Sequence, residues 1–251
     1  MKKFLALLLA VAMMTFAFAG CGKSESITIT EGTLTMGTNA TFPPYEYTDE
    51  NGDIIGIDAE IAAAVAEELG LKLEIKDMEF DSLIPAVQAG SIDIAFAGMT
   101  VTDERKESVD FSDTYAKGVQ VIIVPENSKI ASPDDLEGKK IGVQTGTTGD
   151  IYCTDDFGQE NVKQFNNGAL AVTALTQGQV DCVIIDNEPA KNFVKSNKGL
   201  KILETSYADE DYAAAVSKEN NELLKKVNEA MKTLKDNGKI DEIVSKYIKA
   251  E

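Results

Sequence analysis

One arginine stands among the 24 basic residues of this chain, Arg105. A guanidinium is a planar fork of parallel N–H donors that meets a carboxylate in two hydrogen bonds at once, which an ammonium cannot do. Its context, GMTVTDERKESVDFS over 98–112, puts Thr102 where it caps a helix starting at Asp103, with Arg105 in the first turn. The plainer use of such a residue is an exposed i,i+4 pair. Asp186 ends the apolar run CVII, at the C-terminal rim of a strand where open α/β sheets bind ligands. It serves equally well as the cap of a helix starting at Glu188. The turn GTTG at 146–149 reads as an ordinary strand-to-helix turn or as one whose free amides at the helix start attract an anion. It is not a phosphate loop, because no lysine follows the glycines.

Several chemistries are excluded. The chain has no histidine, which removes the commonest general base, the commonest metal ligand and every Ser-His or Cys-His nucleophile. No cysteine cluster has metal-ligand spacing, and no cofactor is implied. Cys153 and Cys182 are either a disulfide of an exported protein or two buried thiols, and spacing leaves both open. A net charge of −18 argues against nucleic acid, since nothing would neutralise phosphates.

The N-terminus reads as a targeting segment. Lys2 and Lys3 precede an uncharged apolar run over 4–19 that is short for a membrane span and ends in small residues. Cys21 follows Phe18, Ala19 and Gly20, a pattern similar to a bacterial lipobox apart from Phe18, where leucine is usual. The expectation is a signal peptide over 1–20, a lipidated Cys21 and a short polar tether over 21–27. Loss of Lys2 and Lys3 takes the charge to −20.

Strands and helices then alternate. The patterns predict strands at 33–37, 71–75 and 92–97 with helices at 58–69 and 81–89, the second capped by Asp81 or Ser82. A second round has strands at 120–124, 140–143, 162–165, 182–185 and 201–203, with helices from 149, over 169–177 and over 188–195. A last strand at 212–216 and amphipathic helices at 221–235 and 240–248 close the chain. Two successive strand–helix rounds imply an α/β protein of two similar lobes.

The segments GTNATFPPYEYTDENGDIIGIDAEIAAAVAEELG (37–70), FDSLIPAVQAGSIDIAFAGMTVTDERKESVDFSDTY (80–115), GKKIGVQTGTTGD (138–150) and VDCVIIDNEPA (180–190) together resemble the polar amino-acid family of bacterial extracellular solute-binding proteins. The resemblance implies a type II periplasmic-binding-protein fold: each lobe a mostly parallel sheet flanked by helices, lobe 1 being 28–117 plus 213–251, lobe 2 being 118–212, with crossings near 115–119 and 211–213. It also implies a free amino acid held between the lobes. Its α-carboxylate would lie on Arg105, Thr148 and Thr100, and its α-ammonium on Asp186, the Ala97 carbonyl and Thr100. Its side chain would meet Asn39, Phe42, Phe80 and Gln144. The two amides suit a polar side chain without dictating its charge, so glutamine and arginine or lysine both stay open. The partners implied are an ABC permease and its ATPase, with the protein a monomer held at the membrane only by its lipid.

Two other functions fit the same scaffold. A cyclohexadienyl-dehydratase-like enzyme would need an added acid in the cleft; Glu46, Glu79 and Glu188 lie nearby in the chain without a recognisable acid or base partner. A ligand-sensing adaptor would present the same closed lobes to a receptor.

Overall fold

The computed structural model describes residues 26–249; the expected signal peptide and Cys21 lie outside them. Strand β1 (Thr33–Thr38) pairs in parallel with both β5 (Lys72–Asp77) and β6 (Ile94–Ala95). Between them come a small antiparallel meander, β2 (Thr41–Phe42), β3 (Glu46–Thr48) and β4 (Ile54–Ile55), and helix α1 (Ile57–Glu68). The meander has no signature in the sequence, because its strands are two or three residues long. Helix α2 (Leu83–Gln88) opens from a 3-10 turn over Phe80–Ser82. Neither Asp81 nor Ser82 caps it by a side chain, contrary to expectation, because Pro85 at its third position has no amide to donate and the 3-10 turn already supplies the Phe80 carbonyl for the Leu83 amide. Thr102 does cap α3 (Asp103–Ser108), its Oγ1 accepting from the Arg105 amide at 3.1 Å.

After β7 (Asp110–Phe111) the chain enters a second sheet through β8 (Ala116–Pro125). There β9 (Ile141–Gln144) lies parallel to β10 (Val162–Phe165) and β11 (Cys182–Asp186), while β8 runs antiparallel to β11, β12 (Leu200–Ile202) and β13 (Ala208–Tyr212). Helices α4 (Thr148–Phe157), α5 (Gly168–Thr176) and α6 (Asn187–Ser196) cover this sheet. The run expected as one strand at 212–216 is divided. Tyr212 ends β13 in the second sheet, and β14 (Ala215–Val216) lies antiparallel between β6 and β7 in the first. Both sheets are therefore mixed, parallel among their own strands and antiparallel where the crossing strands β8, β13 and β14 join. Helices α7 (Asn221–Asp236) and α8 (Lys239–Tyr247) return to the first sheet.

Side-chain alternation gives each sheet two buried faces. Ile94 and Phe96 join Leu34 and Met36 beneath α1, α7 and α8, while Ala95 and Ala97 face Leu83 and Val87 of α2. In the second sheet Val121, Ile123, Val183 and Ile185 meet α5 on one side, and Ile122, Val124, Cys182 and Ile184 meet Cys153 of α4 on the other. Of the two alternatives for the cysteines the structure has free thiols: Cys153 and Cys182 are fully buried in one apolar layer and unbridged. Burial pushes the Cys182 thiol up to about 12 and also raises Cys153, which suppresses the thiolate that exchange chemistry needs.

The meander meets α1 at Gly56, whose φ of 126° only glycine adopts readily. A Cβ there would overlap the Tyr45 carbonyl. Gly56→Ala is expected to cost about 2 kcal/mol or more; denaturant unfolding that shows a loss below about 0.5 kcal/mol would contradict this local geometry.

Candidate functional site

Between the two sheets lies a crevice with an envelope of about 460 Å³, part of it open to solvent, within the size range of small-ligand sites. All nine residues assigned to ligand contact from the sequence line it: Asn39, Phe42, Phe80, Ala97, Thr100 and Arg105 from the first sheet's side, Gln144, Thr148 and Asp186 from the second, with Gly98 and Thr147 beside them. The strands explain the convergence. Asn39 follows β1 and Ala97 follows β6; Gln144 ends β9 and Asp186 ends β11. Each of these parallel strands delivers its C-terminal end to the crevice, as ligand sites in α/β sheets require.

Arg105 is 6% exposed. Its Nη1 donates to the Thr100 carbonyl at 2.8 Å and its Nη2 to the Gly146 carbonyl of the other lobe at 3.0 Å. The guanidinium carbon lies 5.3 Å from the Phe80 ring centroid, a cation–π distance. Burial lowers its proton affinity, and the nearest opposing effect is the charge of Glu210. Among the described residues no carboxylate forms an ion pair with it. Thr100 thus meets Arg105 through its carbonyl. The Thr148 amide is the first of α4, and no carbonyl within a helix can reach that position.

Asp186 is 1% exposed. Its Oδ2 accepts from the Val119 amide at 3.0 Å and the Tyr212 hydroxyl at 2.6 Å, and its Oδ1 from the Glu188 amide at 3.1 Å. It therefore caps α6 and faces the crevice at once. Burial pushes its carboxyl up to about 7, against the pull of those three donors. The amides of Gln144 and Asn39 meet across the crevice: Gln144 Nε2 donates to Asn39 Oδ1 at 2.9 Å, and Asn39 Nδ2 to the Met78 carbonyl at 3.0 Å. At the rim Asn166 donates to Glu79 at 3.3 Å and Asn192 to the Pro43 carbonyl at 3.4 Å. Among the described residues these four side-chain hydrogen bonds span the crevice. Among the described residues no group of three or more His, Cys, Asp or Glu is placed to hold a metal ion, and no helix is long and apolar enough to cross a membrane.

The profile of the bacterial extracellular solute-binding proteins, family 3, matches residues 34–250. The chain belongs to that family. This family 3 protein is 35% identical over 260 residues to a probable histidine-binding protein of Neisseria gonorrhoeae, covering 100% of this chain and 97% of the relative. It is also 35% identical over 256 residues to the arginine-binding extracellular protein ArtP of Bacillus subtilis, covering 100% of both. Among solved structures it is similar to an ancestral arginine-binding protein bound to glutamine, with a TM-score of 0.84 and 45% identity over 88% of this chain and 100% of that one.

Sequence reasoning missed three polar residues of the family 3 crevice, Gln120, Glu210 and Tyr212, and the apolar Ile184 and Ile185. Gln120 Nε2 donates to Glu210 Oε2 at 2.9 Å. The acidic stretch ADEDY hides a period of two, in which Glu210 and Tyr212 are buried while Asp209 and Asp211 are exposed. Composition masks that alternation, since three of its five residues are acids. Glu188, one of the acids considered for catalysis, instead pairs with Lys191 at 2.9 Å.

The Asp186 carboxyl of the unliganded protein is expected to titrate at about 7, because burial raises it above the ordinary aspartate range. Tyr212→Phe removes a donor to the charged form and moves the midpoint up. Carbon-13 NMR of labelled aspartate reads this directly, and a midpoint near 4 would contradict the burial described.

Proposed function

We propose that this protein binds one free polar L-amino acid between its lobes and delivers it to an ABC-type import permease and its ATPase. The observation that carries the reading is the buried Arg105 guanidinium, which has no ion-pair partner among the described residues and faces the same crevice as the buried Asp186 carboxyl. A desolvated cation without a counter-ion is a receptor for an anion, and a zwitterion satisfies both groups. The ligand α-carboxylate takes the fork of Arg105, the Thr148 amide at the α4 N-terminus and the Thr100 side. The α-ammonium takes Asp186, the Ala97 carbonyl and the Thr100 hydroxyl. Asn39, Phe42, Phe80 and Gln144 surround the ligand side chain. Relatives named for histidine and arginine, and a similar structure bound to glutamine, support a polar side chain; both a cationic and an amide ligand fit two amides that donate and accept.

In this reading lobe 1 is 28–117 with 213–251 and lobe 2 is 118–212. The lobes turn on the paired crossings, where the Tyr115 amide bonds to the Tyr212 carbonyl at 2.9 Å. Only closure brings the anchors of both lobes to one molecule, so binding is coupled to hinge motion. Residues 1–20 act as a signal peptide, and a lipid on Cys21 tethers a monomer outside the cytoplasm. Relatives named after bound amino acids favour a binding protein over a dehydratase.

A thermal-shift panel of the twenty amino acids followed by calorimetry tests the function; stabilisation by none of them would end it. Arg105→Lys keeps the charge but loses the fork, and should cost about 2–5 kcal/mol of affinity for every ligand. Asp186→Asn should weaken all ligands alike, whereas changes at Asn39 or Gln144 should reorder them. Affinity should also depend on pH with a defined sign. The ammonium needs ionised Asp186, which is half protonated at about 7 in the unliganded protein. Binding therefore displaces a proton below that point, and affinity falls by up to about tenfold per pH unit as pH drops further. Calorimetry in buffers of different ionisation enthalpy should register proton release near neutrality; a flat profile from about pH 5 to 8 would refute the assignment.

A further inference from the structure

Beneath the crevice two further acids are buried together. Glu46 of β3 is 1% exposed and lines the crevice, and Asp58 in the first turn of α1 is 0% exposed. The chain forces them together, because the Asp58 amide donates to the Tyr45 carbonyl at 2.9 Å, placing the helix start against the residue before Glu46. Asp58 Oδ2 is fully engaged, accepting from the Gly98 amide at 2.7 Å and the Tyr115 hydroxyl at 2.7 Å. Asp58 Oδ1 and Glu46 Oε2 are both buried, and no described donor reaches either. The two carboxyl groups are within hydrogen-bonding reach of one another.

Two buried acceptors facing each other without a donor are stable only with a proton between them, and two carboxylates this close cannot both ionise. We infer that Glu46 is the protonated member, its O–H donating to Asp58 Oδ1, and that Asp58 is a positioning residue for the ligand's ammonium. Asp58 acts through one peptide unit. The Gly98 N–H it holds belongs to the same planar group as the Ala97 C=O, and in a trans peptide the two point in opposite directions. Anchoring the N–H from behind aims the carbonyl away from Asp58, and the charge-assisted bond makes that carbonyl a stronger acceptor. Gly98 takes a φ of 51° in this turn. The shared proton leaves the pair with one negative charge rather than two. The other ionisable groups around it are Tyr45, Tyr115 and Asp186. Burial raises both acids, Glu46 well above the ordinary range and Asp58 to about 6, the ordering expected if Glu46 keeps the proton.

The inference rests on the amino-acid reading of the crevice only for the ammonium, not for the proton, and two measurements separate them. Infrared spectroscopy of the unliganded and ligand-saturated protein at about pH 8, where Asp186 is largely ionised, should show one carbonyl band of a protonated carboxylic acid that disappears in Glu46→Gln. A wild type without the band, or a band that survives in Glu46→Gln, overturns the shared proton. Asp58→Asn should weaken L-arginine or L-glutamine at least about tenfold and the matching desamino acid, guanidinopentanoate or glutaramate, by less than about twofold. Equal losses for both overturn the positioning role. If Asp58→Asn does not fold, or neither amino acid binds the wild type, the infrared comparison decides the pair alone; in the second case it is the amino-acid reading that has failed.

Discussion

Removing a guanidinium from water costs several kcal/mol even after the protein relaxes, and Arg105 offsets that cost with two carbonyls and an aromatic face rather than a carboxylate. The rest of the crevice follows from this choice. A carboxylate of the protein's own at van der Waals distance would stabilise the arginine and spoil it as a receptor. Carbonyl partners hold the fork in place and leave its charge uncompensated. Glu210, fixed by Gln120, supplies a more distant negative charge without pairing.

Asp186, across the crevice, is built on the opposite plan. Asp186 receives three donors, yet burial still holds its carboxyl near neutrality. Those donors orient the group without fully offsetting the cost of burying its charge, which is why the proposed function gives it a ligand ammonium. Three buried acids on this side, Asp186, Asp58 and Glu46, oppose one buried arginine. Such a density of carboxyls is tolerable only because protons reside among them at neutral pH.

Closure links the two halves. Arg105 of one lobe bonds to Gly146 of the other, and Asn39 to Gln144, so residues that line the site also hold the lobes together. A ligand that enters must compete with or reinforce these contacts. The crossing strands β8 and β13 carry site residues as well: Gln120, Glu210 and Tyr212 lie on them. The strands that cross between the two sheets thus also form part of the crevice wall.

Much of this was legible in the chain alone. Arg105 stood out because it is the lone arginine, its helix cap was readable from Thr102, and Asp186 was marked by the apolar strand it ends. Local patterns of this kind encode element type and strand ends, because periodicity and capping act over a few residues. The alternatives left open locally needed the tertiary structure: whether Arg105 was exposed, whether Cys153 and Cys182 were bridged, and whether 212–216 was one strand or a crossing. Glu210, Tyr212 and the Glu46–Asp58 contact could not be read at all. Burial and long-range contact are properties of the assembled lobes, and an acid in an acidic stretch carries no local mark of whether water or protein will surround it.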